Sequence, residues 1–149
     1  MTTRCDVPLR RSVWLLALLV LTTGCSITQE VKPVTPAQLA SKEICVRENV
    51  DVRPGFLEAY KGALENKGFS VRVLEPTTGV TACPLLSTYS ANWRWDFTLY
   101  MAYAEMRVYR DGNEIGKAVY DSTVGGLNMN KFIKADEKVR ELVDQLFPS

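Results

Sequence analysis

Histidine is absent from all 149 residues, and long hydrophobic runs are scarce. Without histidine, Ser-His-Asp and Cys-His catalytic arrangements are excluded and a zinc site is disfavoured. The longest apolar run, residues 13–21, is far shorter than the roughly 20 residues of a transmembrane helix. No C-x-x-C motif is present, which disfavours a redox-active cysteine pair. The formal net charge is only +1, so nothing indicates a basic surface for nucleic acid.

The first residues are typical of a secretory signal peptide. The apolar run over residues 13–21 has the length of an h-region, and Arg4, Arg10 and Arg11 precede it as a positive n-region. We therefore predict a signal peptide over residues 1–24. Removing it leaves one domain's worth of chain, with 15 basic and 16 acidic side chains and a net charge of −1.

The residues that follow the apolar run, Thr22-Thr23-Gly24-Cys25, resemble a bacterial lipobox, [LVI]-[ASTVI]-[GAS]-C, although Thr22 departs from it. The resemblance implies that the chain is cleaved before Cys25 and that Cys25 is lipidated on its thiol and its amino group. Three acyl chains exceed the two signals that stable anchoring requires. Ser26 stands where an aspartate would imply inner-membrane retention, which favours the inner leaflet of the outer membrane of a Gram-negative bacterium, facing the periplasm. A plain secreted protein with an unrelated cysteine is the alternative.

Two further cysteines, Cys45 and Cys83, remain in the mature chain. In an oxidising compartment such a pair most simply forms a disulfide. On the chain-entropy model, closing this loop would stabilise the fold by about 4 kcal/mol. Two buried thiols are the alternative.

Residues 25–41 are polar, contain two prolines and show no clear period, so they predict a flexible tether. Residues 42–149 carry strand and helix periods in the order β-α-β-β-β-β-α. This order predicts one α+β domain, with a mixed, mostly antiparallel sheet of about five strands and two helices packed on one face.

The dipeptide Asp111-Gly112 separates two alternating segments and predicts a hairpin with a two-residue turn. Counting outward from that turn places five residues on one sheet face: Tyr103, Glu105, Arg107, Tyr109 and Tyr120. Because tyrosine is enriched in protein interfaces, we expect this face to bind another cell-envelope protein. A solvated face with cross-strand ion pairs is the alternative.

Residues 87–96 alternate strictly and place Trp93 and Trp95 on one side of a strand. Burial in the core is one interpretation, because alternating aromatic residues on a strand are usually buried. The other interpretation is a groove in which the flat rings stack on a glycan or a small ligand.

Catalysis has little support in the sequence. A hydrolase would need converging carboxylates, for which Asp96 and Asp121 are the candidates. The Glu105 and Arg107 pair is more typical of a solvated sheet surface with ion pairs than of an active site. We therefore predict a protein that is not an enzyme, with no catalytic residues, no metal and no cofactor.

From Ser90 onward the chain resembles a family of short proteobacterial lipoproteins. The resemblance is carried by Trp93-Arg94-Trp95-Asp96, residues 100–105, residues 108–112, Tyr120-Asp121, Lys131-Phe132 and residues 143–148. It implies a periplasmic lipoprotein and no particular activity. The expected function is an accessory binding module for another envelope protein, with peptidoglycan or small-ligand binding as the alternative.

Overall fold

The computed structural model describes residues 27–39 and 41–148, so the predicted signal peptide and Cys25 lie outside the described residues. The strands are β1 (Thr28–Lys32), β2 (Glu43–Arg47), β3 (Ser70–Leu74), β4 (Leu85–Asp96), β5 (Thr98–Arg110) and β6 (Asn113–Asp121). The helices are α1 (Pro54–Asn66) and α2 (Ala135–Leu146), with short 3-10 turns at Pro36–Gln38 and Met129–Phe132. None of the described helices is long and apolar enough to cross a membrane.

The six strands form one open mixed sheet in the order β1-β6-β5-β4-β2-β3. Strand β2 runs parallel to β3 and β4, and the remaining neighbours are antiparallel. Helices α1 and α2 contact each other and share one apolar core with the sheet. The predicted α+β class is confirmed, with six strands in place of about five because β1 was not foreseen.

Local sequence explains both helices. Pro54 suits the first turn of α1 because its φ is fixed, and Gly68 follows the helix at φ 83°, where a residue without a Cβ is favoured. Each helix buries one apolar stripe. The buried apolar residues of the two stripes are Phe56, Tyr60, Ala63 and Leu64 in α1, and Val139, Leu142, Val143 and Leu146 in α2.

The predicted tether is corrected over the residues that the structure describes. β1 pairs with β6 along its whole length, and Val34 is fully buried, with its N–H donating to the Leu146 carbonyl at 2.8 Å. A Cβ on Gly116 would overlap the Val34 side chain, so the segment packs directly on β6. The folded domain therefore includes residues 28–39, which the prediction assigned to the tether. Composition suggested a tether because an edge strand needs few apolar residues.

The predicted register between β5 and β6 is also corrected. A two-residue turn at Asp111-Gly112 would pair Val108 with Ile115 and place Lys117 on the core side. The turn forms as expected, but Ile115 is an extra residue, so Val108 pairs with Gly116 instead. This β-bulge shifts the rest of β6 by one position and exchanges its two faces. The exchange moves Lys117 out of the core, to where its ammonium group lies 3.2 Å from a Glu105 oxygen.

The predicted disulfide between Cys45 and Cys83 is confirmed, with a Cα–Cα distance of 6.3 Å. It lies on the sheet face away from the helices, packed against Leu86. The bond fixes the loop before β4 against β2, across 38 residues of chain.

Candidate interaction surfaces

The sheet face that the helices leave uncovered carries four of the five predicted partner-surface residues. Tyr103, Glu105, Arg107 and Tyr109 alternate along β5 with the buried Ala104, Met106 and Val108, and all four are partly exposed. We call this surface the open sheet face and define it by these four residues together with Glu114 and Lys117 of β6.

Charges on the open sheet face are paired with one another. The Arg107 guanidinium donates to both Glu105 carboxylate oxygens, at 2.7 and 3.1 Å, and to Glu114 at 3.1 Å. Tyr103 donates its hydroxyl proton to Glu105 at 3.2 Å. Five polar groups thus form one ordered network, counting Lys117, and a partner would meet side chains that are already positioned.

The network shifts the acid–base behaviour of its members. The hydrogen bonds from Arg107, which outweigh the opposing effect of burial, hold the pKa of Glu105 below its usual range. Burial raises the pKa of Tyr103, and the adjacent Glu105 carboxylate raises it further. At neutral pH Glu105 is therefore charged and Tyr103 is protonated, as their hydrogen bond requires.

Tyr120, the fifth predicted residue, is not part of this surface. The β-bulge places it opposite Ala104 in the core, where it is 1 % exposed. The Lys138 ammonium group lies 5.0 Å from the ring centroid. Among the described residues, no group hydrogen-bonds to the buried Tyr120 hydroxyl. The prediction failed because a bulge was not visible in the sequence.

Trp93 and Trp95 have different environments. Trp93 is half-buried, edge-on to Phe56 at 6.3 Å between ring centroids, and the Arg53 guanidinium lies 5.8 Å from its ring centroid. Trp95 is 75 % exposed because the helices do not extend over the end of β4. A core position is therefore wrong for Trp95.

Trp93 forms one wall of a groove of about 350 Å³ between the first turns of the two helices. Arg53 and Asp136 add one charge of each sign to its rim, and Phe56 and Val139 line its floor. Such an arrangement fits a small ligand with an apolar face and polar substituents. Trp95 is not among the lining residues, so the two rings do not form one stacking platform.

A second apolar surface was not predicted. Eight large apolar side chains are exposed among the described residues, and six of them lie on the β4–β5 hairpin tip and the loop that follows β6. We call this surface the apolar end; its residues are Trp95, Phe97, Leu99, Val124, Leu127 and Met129. The available signal was the apolar content of residues 124–129, a stretch whose glycines and asparagines otherwise indicate a loop.

The two segments of the apolar end are held together by polar contacts. Lys131 is 4 % exposed, ion-paired with Asp96 and hydrogen-bonded to the Gly126 carbonyl, and its ammonium group lies 5.4 Å from the Tyr100 ring centroid. Arg94 donates to the Thr123 carbonyl at 3.2 Å. These contacts therefore hold the backbone segments that carry the exposed apolar side chains in fixed positions.

The candidate carboxylates of a hydrolase are kept apart. Asp96 pairs with Lys131, whereas Asp121 accepts hydrogen bonds from the Thr123 backbone and hydroxyl groups. Their β5 neighbours, Thr98 and Tyr103, lie five positions apart, or roughly 16 Å at the rise of a strand. Paired hydrolytic carboxylates lie within about 5–9.5 Å. Within residues 27–39 and 41–148, no group of three potential metal ligands occurs.

Comparison with protein families gives no match for this chain, and no curated protein matches it. Solved structures of PelC share its fold. The PelC dodecamer from Paraburkholderia phytofirmans, in a Leu-to-Met variant, superimposes with a TM-score of 0.54 at 12% identity, covering 81% of this chain and 98% of that chain. A second crystal form of the PelC dodecamer from the same organism gives a TM-score of 0.52 at 12% identity, with the same coverage. At this identity the similarity establishes the fold alone.

Proposed function

We propose that this protein is a lipid-anchored, non-enzymatic module of the bacterial envelope that binds a protein partner through its open sheet face. The observation that carries the proposal is a sheet face that neither helix covers, on which tyrosines flank an ordered network of charges. Aromatic residues and arginine are the side chains enriched at protein interfaces. The predicted lipidation of Cys25 would hold this surface at the membrane, facing the periplasm.

The similarity to PelC supports one partner in particular, a second copy of this chain. PelC is a dodecamer, so this fold is compatible with self-assembly. The open sheet face combines Glu105 and Glu114 with Arg107 and Lys117, and a surface with both signs of charge can complement itself. The first partner to test is therefore the protein itself, followed by other envelope proteins.

Site-specific photo-cross-linking in cells tests this proposal. A photoreactive amino acid at Tyr103 or Tyr109 should trap a discrete product, whose mass separates a homo-oligomer from a complex with another protein. The matched control places the same probe at Lys61, on the exposed side of α1. Absence of a discrete product at both tyrosine positions, in protein of normal abundance, would contradict the proposed binding face.

Mass spectrometry of the native protein tests the anchor independently. The N-terminal peptide should begin at Cys25 and carry the mass of three acyl chains, and Cys25→Ser should abolish both features. A bare thiol at Cys25 in mature protein would contradict the proposed lipid anchor. The proposed binding face would then still be tested by the cross-linking experiment.

The groove beside Trp93 supports a second candidate function, binding of a glycan or another small ligand. A flat indole with Arg53 and Asp136 at the rim suits a sugar, which presents an apolar ring face and peripheral hydroxyl groups. Titration of Trp93 fluorescence with peptidoglycan fragments tests it, in a Trp95→Phe background that isolates the signal. An unchanged spectrum at millimolar ligand would reject this function.

A further inference from the structure

The apolar end exposes large apolar side chains, and their exposure to water does not stabilise the fold. Trp95, Phe97 and Leu127 are 75, 86 and 91 % exposed. Contiguous apolar surface of this kind marks a contact with protein, ligand or membrane. The buried Lys131 and its partner Asp96 fix the loop against the hairpin, so the exposure does not arise from a loose segment.

Phe97 is exposed at a conformational cost. It occupies the hairpin tip at φ 59°, a left-handed conformation that glycine and asparagine adopt far more readily than phenylalanine. A chain selected only for stability would place a small polar residue there. Residues held in unfavourable backbone conformations occur preferentially where function requires them.

The course of the chain indicates what covers the apolar end. Thr28, the first residue of β1, pairs with Asp121, which is level with Tyr103 and Asn92 across the sheet. The described chain therefore starts at the same end of the sheet as the hairpin tip. Ile27 lies beside Gly125, and Gly125 belongs to the loop that carries Val124 and Leu127.

The length of the chain between Cys25 and Thr28 limits how far the predicted lipid can lie from β1. Cys25 precedes Thr28 by three residues, so the two lie at most about 11 Å apart. From the level of Asn92 the hairpin continues for five residues to Phe97, roughly 16 Å at the rise of a strand. Even a fully extended link thus leaves the tip about 5 Å beyond the anchored cysteine. Apolar side chains of interfacial proteins enter a bilayer by about 5–10 Å.

We infer that the apolar end is a membrane-contacting surface that inserts Trp95, Phe97 and Leu127 into the headgroup region of a phospholipid bilayer. This inference rests on the proposed lipid anchor at Cys25. Tryptophan and phenylalanine suit this role, because aromatic side chains concentrate at membrane–water interfaces. Membrane contact also orients the domain, with the sheet strands steep to the bilayer and the β5–β6 turn farthest from it.

Depth-dependent fluorescence quenching tests the surface. The mature lipidated protein carrying Trp93→Phe keeps Trp95 as its single tryptophan, because Trp14 belongs to the predicted signal peptide. Reconstituted into vesicles of phosphatidylethanolamine and phosphatidylglycerol with bromine on the upper acyl chain, Trp95 should shift to the blue and lose most of its emission. The matched control moves the tryptophan to the first residue of β6, at the opposite end of the sheet, with Trp93→Phe, Trp95→Phe and Asn113→Trp, and its emission should be unchanged.

Two outcomes would overturn the inference. One is unquenched Trp95 emission in lipidated protein that co-floats with the vesicles. The other is a blue shift of Trp95 that develops with protein concentration in the absence of lipid, which would show that a second copy covers this surface. If mass spectrometry finds Cys25 bare, the proposed anchor is wrong, and membrane contact is tested separately with the unlipidated chain. In excess brominated vesicles, quenching of Trp95 emission supports membrane contact, and unquenched emission refutes it.

Discussion

Glu105 and Arg107, two positions apart on β5, form a doubly hydrogen-bonded ion pair on the open sheet face, with N···O distances of 2.7 and 3.1 Å. The Glu105 side chain is only 17 % exposed, so water screens the pair less than it screens a pair at the rim. This geometry makes the pair a source of stability as well as a feature of the surface.

Stability should depend on pH through Glu105. Because the pKa of Glu105 is lower in the folded chain than in the unfolded one, its contribution is present at neutral pH and is lost as the pH falls through the acid range. Glu105→Gln should lower the free energy of unfolding by about 1–2 kcal/mol at neutral pH, and by much less towards roughly pH 2. Urea unfolding at a series of pH values measures this. The control, Glu65→Gln, removes an exposed pair on α1 and should cost under about 0.5 kcal/mol at any pH.

Two buried tyrosines should respond oppositely to loss of their hydroxyl groups. The Tyr60 hydroxyl lies 2.6 Å from Ser87 Oγ, whereas the buried Tyr120 hydroxyl has no partner among the described residues. Tyr60→Phe should destabilise by about 1 kcal/mol, and Tyr120→Phe should be neutral or stabilising. Chemical denaturation of the two variants side by side measures the difference. Equal losses would mean that the Tyr120 hydroxyl is satisfied by an ordered water.

Removing one partner of the Lys131–Asp96 ion pair should destabilise the fold more than removing the other. Lys131 is nearly inaccessible at 5 % side-chain exposure, and its partner Asp96 is 40 % exposed. Asp96→Asn leaves a buried ammonium group without its counter-charge and should cost about 2–3 kcal/mol, whereas Lys131→Met leaves Asp96 accessible to water and should cost about 1 kcal/mol. Thermal denaturation should rank the two variants in this order. Lys134→Met, at 76 % exposure, serves as the neutral control.

A pair of glycine substitutions tests whether the N-terminal segment is packed on the domain. A Cβ on Gly116 would overlap Val34, but a Cβ on Gly62 would have nothing within 4 Å. Gly116→Ala should destabilise by about 1–3 kcal/mol through overpacking. Gly62→Ala, in the interior of α1, should stabilise by about 0.5–1 kcal/mol. If Gly116→Ala were tolerated, the Val34 segment would have to be free of β6.

Relief of the backbone cost at the hairpin tip should raise stability. Phe97→Asn keeps φ near 59° at lower cost and should stabilise the fold by about 0.5–1 kcal/mol, measured by urea denaturation. The control is Asp111→Asn at φ 49°. Aspartate and asparagine both tolerate this conformation, so the free energy of unfolding should change little. A destabilised Phe97→Asn variant would show that the exposed ring contributes to the fold.

The sequence by itself determined the kinds and the order of the strands and helices that follow β1. Helix and strand periods are local, so the stripe of Val139, Leu142 and Leu146 and the alternation of residues 87–96 could be recognised without a structure. The turn at Asp111-Gly112 was equally local, because those residues readily adopt left-handed backbone conformations. The compartment inferred from the region around Cys25 predicted the Cys45–Cys83 bond.

Only the tertiary structure decided which side chains those elements bury. One extra residue, Ile115, turned Tyr120 into the core and Lys117 out of it, and a bulge leaves no reliable local signal. Trp93 and Trp95 share one side of β4, yet only Trp93 is sheltered, because the helices cover only part of the strand. Residues 28–39 joined the domain because β6 offered an unpaired edge. Exposure depends on what lies opposite a residue, and that is set by contacts distant in sequence.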